Sequence, residues 1–317
     1  MKLSKITLTF VLTTLLMNCA NNDEALMEQA NELAQKFIIT DGHIDTPWRM
    51  HKGGYEDISV RTPGGDFDYV RAKQGGLDVP FMSIYVPASY QVTGGAKDKA
   101  DELIGIVERV TTDHPDKFEI AHSVSDAERI VAEGKIALPM GMENGAPLEG
   151  DLSNLKYFRK RGISYITLTH AEDNDICDSS YNLGERTHNG LSEFGVEVVK
   201  KMNRIGIMVD ISHVSDEAFY QAMDVTEVPA IATHSSCRHF TPGWERNMSD
   251  DMIKRLAENG GVIQINFASY FVDQDSKDSK GPVDADVSKY VADNNIDPQD
   301  YAAYDAYKKE QYDKRFL

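Results

Sequence analysis

The sequence predicts an α/β chain of the (β/α)8 TIM-type barrel class, read as stopping after its seventh strand. Three observations carry this. Short apolar runs alternate with amphipathic helical stretches seven times, the grammar of a parallel sheet with helical crossovers. Five of the runs end in His, Asp or Glu, and chemistry gathered at C-terminal strand ends is the habit of a closed barrel. No Gly-rich phosphate loop supports the runner-up, a doubly wound open sheet, which would place its site at one switch point.

The elements follow in order. Lys2 and Lys5 precede an apolar stretch from Ile6 to Met17, too short for a comfortable membrane span and read as a secretory signal over 1–18. Leu16-Met17-Asn18-Cys19 resembles a bacterial lipoprotein box, so Cys19 is the expected lipidation site; cleavage near Ala20 without a lipid is the alternative. Residues 19–36 are read as a tether and leading helix, and 37–317 as the barrel, lacking its C-terminal part. Phe37-Ile38-Ile39 starts the first strand, which leads into Asp41-Gly42-His43-Ile44-Asp45-Thr46-Pro47-Trp48, where Pro47 ends it. Side chains two apart share a strand face, so His43 and Asp45 stand side by side.

Gly75-Gly76 precede the second strand, Val79 to Val86, and a helix follows at about 96–112. Ser125-Asp126-Ala127-Glu128 has the pattern of a capping box. Ile136 to Met142 is a third strand ending at Glu143; a basic-tipped helix over 152–161 stops at Gly162. Ile163 to Thr169 is the fourth strand, ending at His170. Ser192 to Ile205 is amphipathic and ends at Gly206. Ile207 to Ser212 is the fifth strand, ending at His213, and Ser215 caps a short helix to about Asp224. Pro229 to Thr233 is the sixth, ending at His234. Ser249-Asp250-Asp251 opens a helix with acid in its first turn, where the dipole favours it, and Val262 to Phe267 is the seventh strand. Residues 273–286 read as an Asp- and Ser-rich polar loop, followed by a Tyr/Lys/Asp-rich helical stretch to Leu317.

The 317 residues are 41% hydrophobic and 26% charged, ample for one large domain. A formal charge of −18 repels phosphate backbones, so nucleic acid is not an expected partner. Three cysteines, Cys19, Cys177 and Cys237, make no disulfide framework and no thiolate zinc site.

The strand ends bring together His43, Asp45, Glu143, His170, His213 and His234. Taken singly, each His has an ordinary explanation, such as bonding a neighbouring carbonyl. A barrel gathers them around one mouth, where they are too many for a single catalytic zinc that keeps an open position. Two metals about 3.5–4 Å apart use them all.

The motifs Asp41-Gly-His43-Ile-Asp45-Thr-Pro-Trp48, Gly141-Met-Glu143-Asn-Gly145, Leu168-Thr-His170, Gly190-Leu-Ser-Glu-Phe-Gly195, Val209-Asp-Ile-Ser-His213-Val-Ser215, His234-Ser-Ser236 and Arg246-Asn247 together resemble the membrane (renal) dipeptidases, binuclear zinc peptidases of the amidohydrolase type. The resemblance implies two Zn2+ per chain: His43 and Asp45 on one, His213 and His234 on the other, Glu143 bridging and catalytic. It implies that His170 faces the substrate carbonyl as a catalytic and binding residue, and that Arg246 binds the substrate at its carboxylate. An ion pair with Asp250 or Asp251 is the ordinary alternative for Arg246.

The resemblance makes the expected activity hydrolysis of a dipeptide amide by a two-metal-activated water. Its rivals are another amidohydrolase activity, on a lactam, lactone or phosphoester, and a non-catalytic lipoprotein relic that binds metal or peptide. Members carry an eighth strand ending in Gly-x-Asp-[Phe/Tyr]-Asp-Gly, with a proton-handling Asp. No such segment stands here; Asp284 and Asp286 lie in a polar stretch. A barrel without that strand exposes two edges, so the expectation is a weakly stable chain with at most trace turnover. Location is expected to be the bacterial cell envelope after export, with the membrane contacted only through the N-terminal lipid. A homodimer is compatible with this reading.

Overall fold

The computed structural model describes residues 25–182, 184–294, 296, 307, 310, 311 and 314. The signal segment, the tether up to residue 24 and Cys19 lie outside the described residues.

A helix over 25–36 (α1) leads into β1 (Ile39–Ile44), and Thr46–Gly53 (α2) follows at once, with Pro47 in its first turn. Pro lacks the N–H that a first turn leaves unused anyway. Next come α3 (Tyr69–Gly75), β2 (Leu77–Tyr85), the short α4 (Tyr90–Thr93) and α5 (Ala96–Asp113). A side ladder of β3 (Phe118–Glu119) and β4 (Ile136–Ala137) flanks α6 (Val124–Ala132). Then β5 (Met140–Glu143), α7 (Ser153–Lys160), β6 (Ile163–Thr167), α8 (Glu193–Ile205), β7 (Met208–Asp210), α9 (Asp216–Val225), β8 (Ile231–Ala232), α10 (Asp250–Glu258) and β9 (Val262–Ile263) complete the alternation, and α11 (Gln274–Asp293) follows.

The main sheet has seven strands in the order β1-β2-β5-β6-β7-β8-β9, and every pairing is parallel. It curls into a half-barrel. A flat sheet would hold β1 and β9 about 29 Å apart, six spacings of ~4.8 Å. Here Gly42 of β1 lies against the Gln264 side chain beyond β9, and a Cβ on Gly42 would sit 2.7 Å from Thr233 O beyond β8. Exposed apolar residues line the two terminal strands, which pair on one side only among the described residues: Phe37 and Ile38 beside β1, Val262, Ile265 and Phe267 beside β9.

Serines start the crossover helices. Ser192, Ser215 and Ser249 each accept from the backbone N–H three residues on, which satisfies a donor the helix itself leaves unpaired. The cap of α6 is Ser123, two residues before the expected Ser125. The helices bury one face each, with Leu103, Ile104 and Val107 of α5 and Val198, Val199 and Met202 of α8 in the core.

Two elements differ from the sequence reading. The run from Ile136 to Met142 is not one strand. Pro139 cannot donate to a ladder, so Ile136 and Ala137 pair with β3 while Met140–Glu143 joins the main sheet. The segment read as a polar loop is the helix α11. Asp273 caps it by accepting from Ser276 N, Lys280–Asp284 and Lys289–Asp293 pair one turn apart, and Val283 and Val287 are buried on one face. Its apolar stripe is only two residues wide, too thin to show as periodicity. Cys177 and Cys237 are free thiols.

Candidate metal centre

The parallel strands all deliver their C-terminal ends to one mouth. Glu143 is the last residue of β5, His213 follows β7 and His234 follows β8. His43 sits one residue before the end of β1, and His170 lies just beyond β6. Two turns there are strained. Asn144 and His213 adopt left-handed backbone with φ of 83° and 69°, a conformation costing a non-glycine residue about 1–3 kcal/mol. Hydrogen bonds hold both. Asn144 Nδ2 donates to Val86 O and Gln91 Oε1, both at 3.0 Å, and Ser180 N donates to His213 O at 2.7 Å. The effect is to turn the His213 imidazole inward.

Glu143 is the hub. Its Oε1 lies 3.0 Å from both His213 Nε2 and His234 Nε2 and 3.5 Å from His170 Nε2, while Oε2 lies 3.4 Å from His43 Nε2. The Nε2 atoms of His213 and His234 are only 2.8 Å apart. Two groups of ligand-type atoms result, each within 4.8 Å: His43, Glu143 and His234, and Glu143, His170 and His213. Glu143 belongs to both. Asp45 stands at the rim, largely exposed, with Oδ1 3.4 Å from His43 Nε2.

The charges are arranged for a cation. Burial alone pushes the Glu143 carboxyl up, but the imidazoles of His43, His170, His213 and His234 around it hold it well below its ordinary range. Burial, with Arg246 and His170 nearby, keeps His213 well below its ordinary value, and burial with His43 lowers His234 to about 4. Burial likewise lowers His170. For His43 burial pulls down, yet Tyr165, Glu143 and Asp45 raise it well above its ordinary value. The centre therefore gathers four imidazoles around one buried carboxylate, a setting that favours a bound cation. Three acceptor-type atoms, His213 Nε2, His234 Nε2 and Glu143 Oε1, converge within 3.0 Å of one another, and only protons or a cation hold such a set together. Imidazole and carboxylate are the donor set of zinc and related divalent ions, so the residues fit the group.

Around this hub lies a cavity of about 360 Å³ with aromatic walls from Trp48, Tyr85, Tyr181, Tyr270 and Phe271. Arg246 is buried in its floor. It donates from Nη1 to Ser235 Oγ at 3.0 Å and from Nη2 to His234 O at 2.6 Å, and Nη2 lies 3.1 Å from His213 Nε2. Asp250 and Asp251 begin α10 instead, where Asp251 pairs with Lys254.

A family model for membrane dipeptidases, Peptidase family M19, matches residues 27–297. The chain belongs to the membrane dipeptidase family. Among curated relatives, dipeptidase tcpJ of Claviceps purpurea is 34% identical over 253 residues, covering 74% of this chain and 58% of that protein. Dipeptidase 3 of Mus musculus is 30% identical over 254 residues, covering 78% of this chain and 50% of that protein. The chain thus spans about half to two thirds of the length of such relatives. The crystal structure of the probable dipeptidase PvdM from Pseudomonas aeruginosa superposes with a TM-score of 0.73 at 26% identity, covering 87% of this chain and 70% of that one.

Within the membrane dipeptidase family fold, the structure brings His43, Glu143, His170, His213, His234 and Arg246 into one cavity, with Asp45 at its edge. His170 stands in a ligand-type group with Glu143 and His213 as well as in the cavity wall. Several residues of the site had no role in the sequence reading. Tyr165 is one: its ring crosses the barrel interior over Gly141, where a Cβ would lie 1.9 Å from its Cζ. A tyrosine inside an apolar strand run was the available signal. Asn266, in the cavity wall, donates to His234 O at 2.9 Å. Gln264 and Asn266, alternating with apolar neighbours, mark an inward polar face.

Proposed function

We propose that the chain hydrolyses the amide bond of dipeptides at a binuclear zinc centre. The observation that carries this is the convergence of four imidazoles on the single buried carboxylate of Glu143, at the C-terminal mouth of a parallel half-barrel. Supporting it is membership of the membrane dipeptidase family.

His43 and Asp45 would hold one metal, His213 and His234 the other, and Glu143 both. When bound, the metals supply Lewis-acid polarisation and an acidified water. The chain's own residues do the rest. Glu143, kept ionised by its imidazole neighbours, compensates cationic charge without taking up a proton near neutrality. His170, beside Glu143 and against Tyr85 at 4.8 Å between ring centroids, faces the scissile carbonyl and stabilises negative charge on its oxygen; a positioned donor of that kind is worth ~3–4 kcal/mol. Arg246 offers a fixed guanidinium to the substrate carboxylate, for which its planar fork suits. The aromatic walls exclude water and accept apolar side chains.

The N-terminal features support an exported, lipid-anchored protein through Cys19; mass spectrometry of the mature N-terminus tests this, and an unmodified terminus downstream of Cys19 would remove the anchor. For the activity, a panel of dipeptides, a lactam, a lactone and a phosphoester is offered to zinc-loaded protein. Turnover of dipeptides above the others is expected. Turnover of another class alone, or of none by protein that holds zinc, would overturn the reading.

A further inference from the structure

Two hydroxyl groups stand behind the histidines of the centre. Tyr165 is fully buried, and its Oη lies 3.0 Å from Gly42 O and 3.0 Å from His43 Nδ1. A carbonyl oxygen only accepts, so the single phenolic proton goes to Gly42 O. The lone pairs of Oη then face His43, and that contact is a hydrogen bond only when His43 Nδ1 carries a proton. Gly141 is what lets the ring through, since any Cβ there would overlap it.

Thr233 repeats the logic on the opposite side. Its Oγ1 lies 2.7 Å from Asp210 Oδ2 and 2.7 Å from His234 Nδ1. Asp210 is buried and accepts throughout, from Ser212 N at 3.0 Å, Ser212 Oγ at 2.9 Å, Thr233 N at 3.0 Å and Thr167 Oγ1 at 2.5 Å. A carboxylate ringed by donors takes the Thr233 hydroxyl proton too. His234 Nδ1 must then donate to Oγ1.

A neutral imidazole protonated at Nδ1 has a bare lone pair at Nε2. The Nε2 atoms of His43 and His234 are the ones that face Glu143. By contrast, the Nδ1 atoms of His170 and His213 are buried and have no hydrogen-bond partner among the described residues.

We propose that Tyr165 and the Thr233–Asp210 pair are positioning residues that fix His43 and His234 as Nδ1–H tautomers, aiming both Nε2 lone pairs at the metals before these arrive. This rests on the metal-centre reading above. Ordering the ligand tautomers in advance strengthens metal binding, and loss of such a partner typically weakens it about 10–100-fold.

The test is a zinc competition titration on wild type, Tyr165→Phe, Thr233→Val and Thr233→Ser, with circular dichroism to confirm folding. Tyr165→Phe and Thr233→Val should each weaken zinc at least about tenfold, while Thr233→Ser, which keeps the hydroxyl, stays near wild type. Wild-type affinity in both folded variants overturns the proposal. A wild type that binds no zinc overturns the underlying reading and the proposal with it. Should a variant fail to fold, 15N-histidine NMR of zinc-loaded wild type decides: slowly exchanging Nδ1–H protons on His43 and His234 support the proposal, and their absence overturns it.

Discussion

Glu143→Gln cuts the centre at the residue its two ligand groups share. In the proposed ligand set Glu143 holds both metals, and it also belongs to both groups of ligand-type atoms, so its loss removes a ligand from each metal, whereas a change at His43 or His213 touches one. The substitution keeps the size of the side chain but removes the anion that four imidazoles surround. A metal that binds only the folded protein stabilises it by RT ln(1 + [L]/Kd), about 4 kcal/mol per site at a thousandfold excess over Kd. At roughly 2–4 °C per kcal/mol, the two sites together, about 8 kcal/mol, should make wild type melt about 16–32 °C higher with zinc than in chelator. For Glu143→Gln the zinc-induced increment should fall below about 2 °C. Using the increment, measured by differential scanning calorimetry, cancels any shift in the metal-free baseline. An increment equal to wild type would refute the role of Glu143 as the common ligand.

Other perturbations test separate links. Arg246→Lys loses the fork to a charged group, so kcat/KM for dipeptides should fall about 10–100-fold, with a smaller change for C-terminally amidated analogues; equal losses on both would detach Arg246 from the carboxylate. Gly42→Ala places a Cβ 2.7 Å from Thr233 O and closer still to Gln264 Oε1, and denaturant unfolding should show a loss of about 1–3 kcal/mol or more. Asp68 is buried; burial pushes its carboxyl up, but the N–H groups of Arg71 and Thr62 and the Arg71 side chain hold it below its ordinary value of 3.8. A depressed folded pKa gives stability that is present above the unfolded value and lost as pH falls through the folded one. Asp68→Ala should therefore cost about 1–2 kcal/mol at pH 7, chiefly the α3 cap, and the gap to wild type should close only below about pH 4; a gap unchanged at pH 3 would contradict the assignment.

The seven strands were legible because each is an apolar run bounded by a turn or a helix cap, and the metal-facing residues were legible because they end those runs. What was hidden is long-range or weakly patterned. Nothing local shows that Tyr165 reaches Gly42 and His43, more than a hundred residues away. Asp210 reads as an ordinary strand-end acid, yet it ties hydroxyls from three strand ends together. Pro139 did carry a local signal, a missing donor inside a strand run, that the sequence reading passed over. The helix α11 was hidden because polar residues dominate it and its buried apolar side chains are just Val283 and Val287. For Arg246 the ordinary alternative is an ion pair with Asp250 or Asp251; the folded backbone places it in the cavity floor, donating to His234 O and Ser235 Oγ.

Anomalous diffraction from a zinc-soaked crystal tests the central claim most directly. The account predicts two peaks about 3.5–4 Å apart, on either side of Glu143, within about 2.0–2.2 Å of Nε2 of His43, His213 and His234. A single peak, or peaks remote from Glu143, would contradict it.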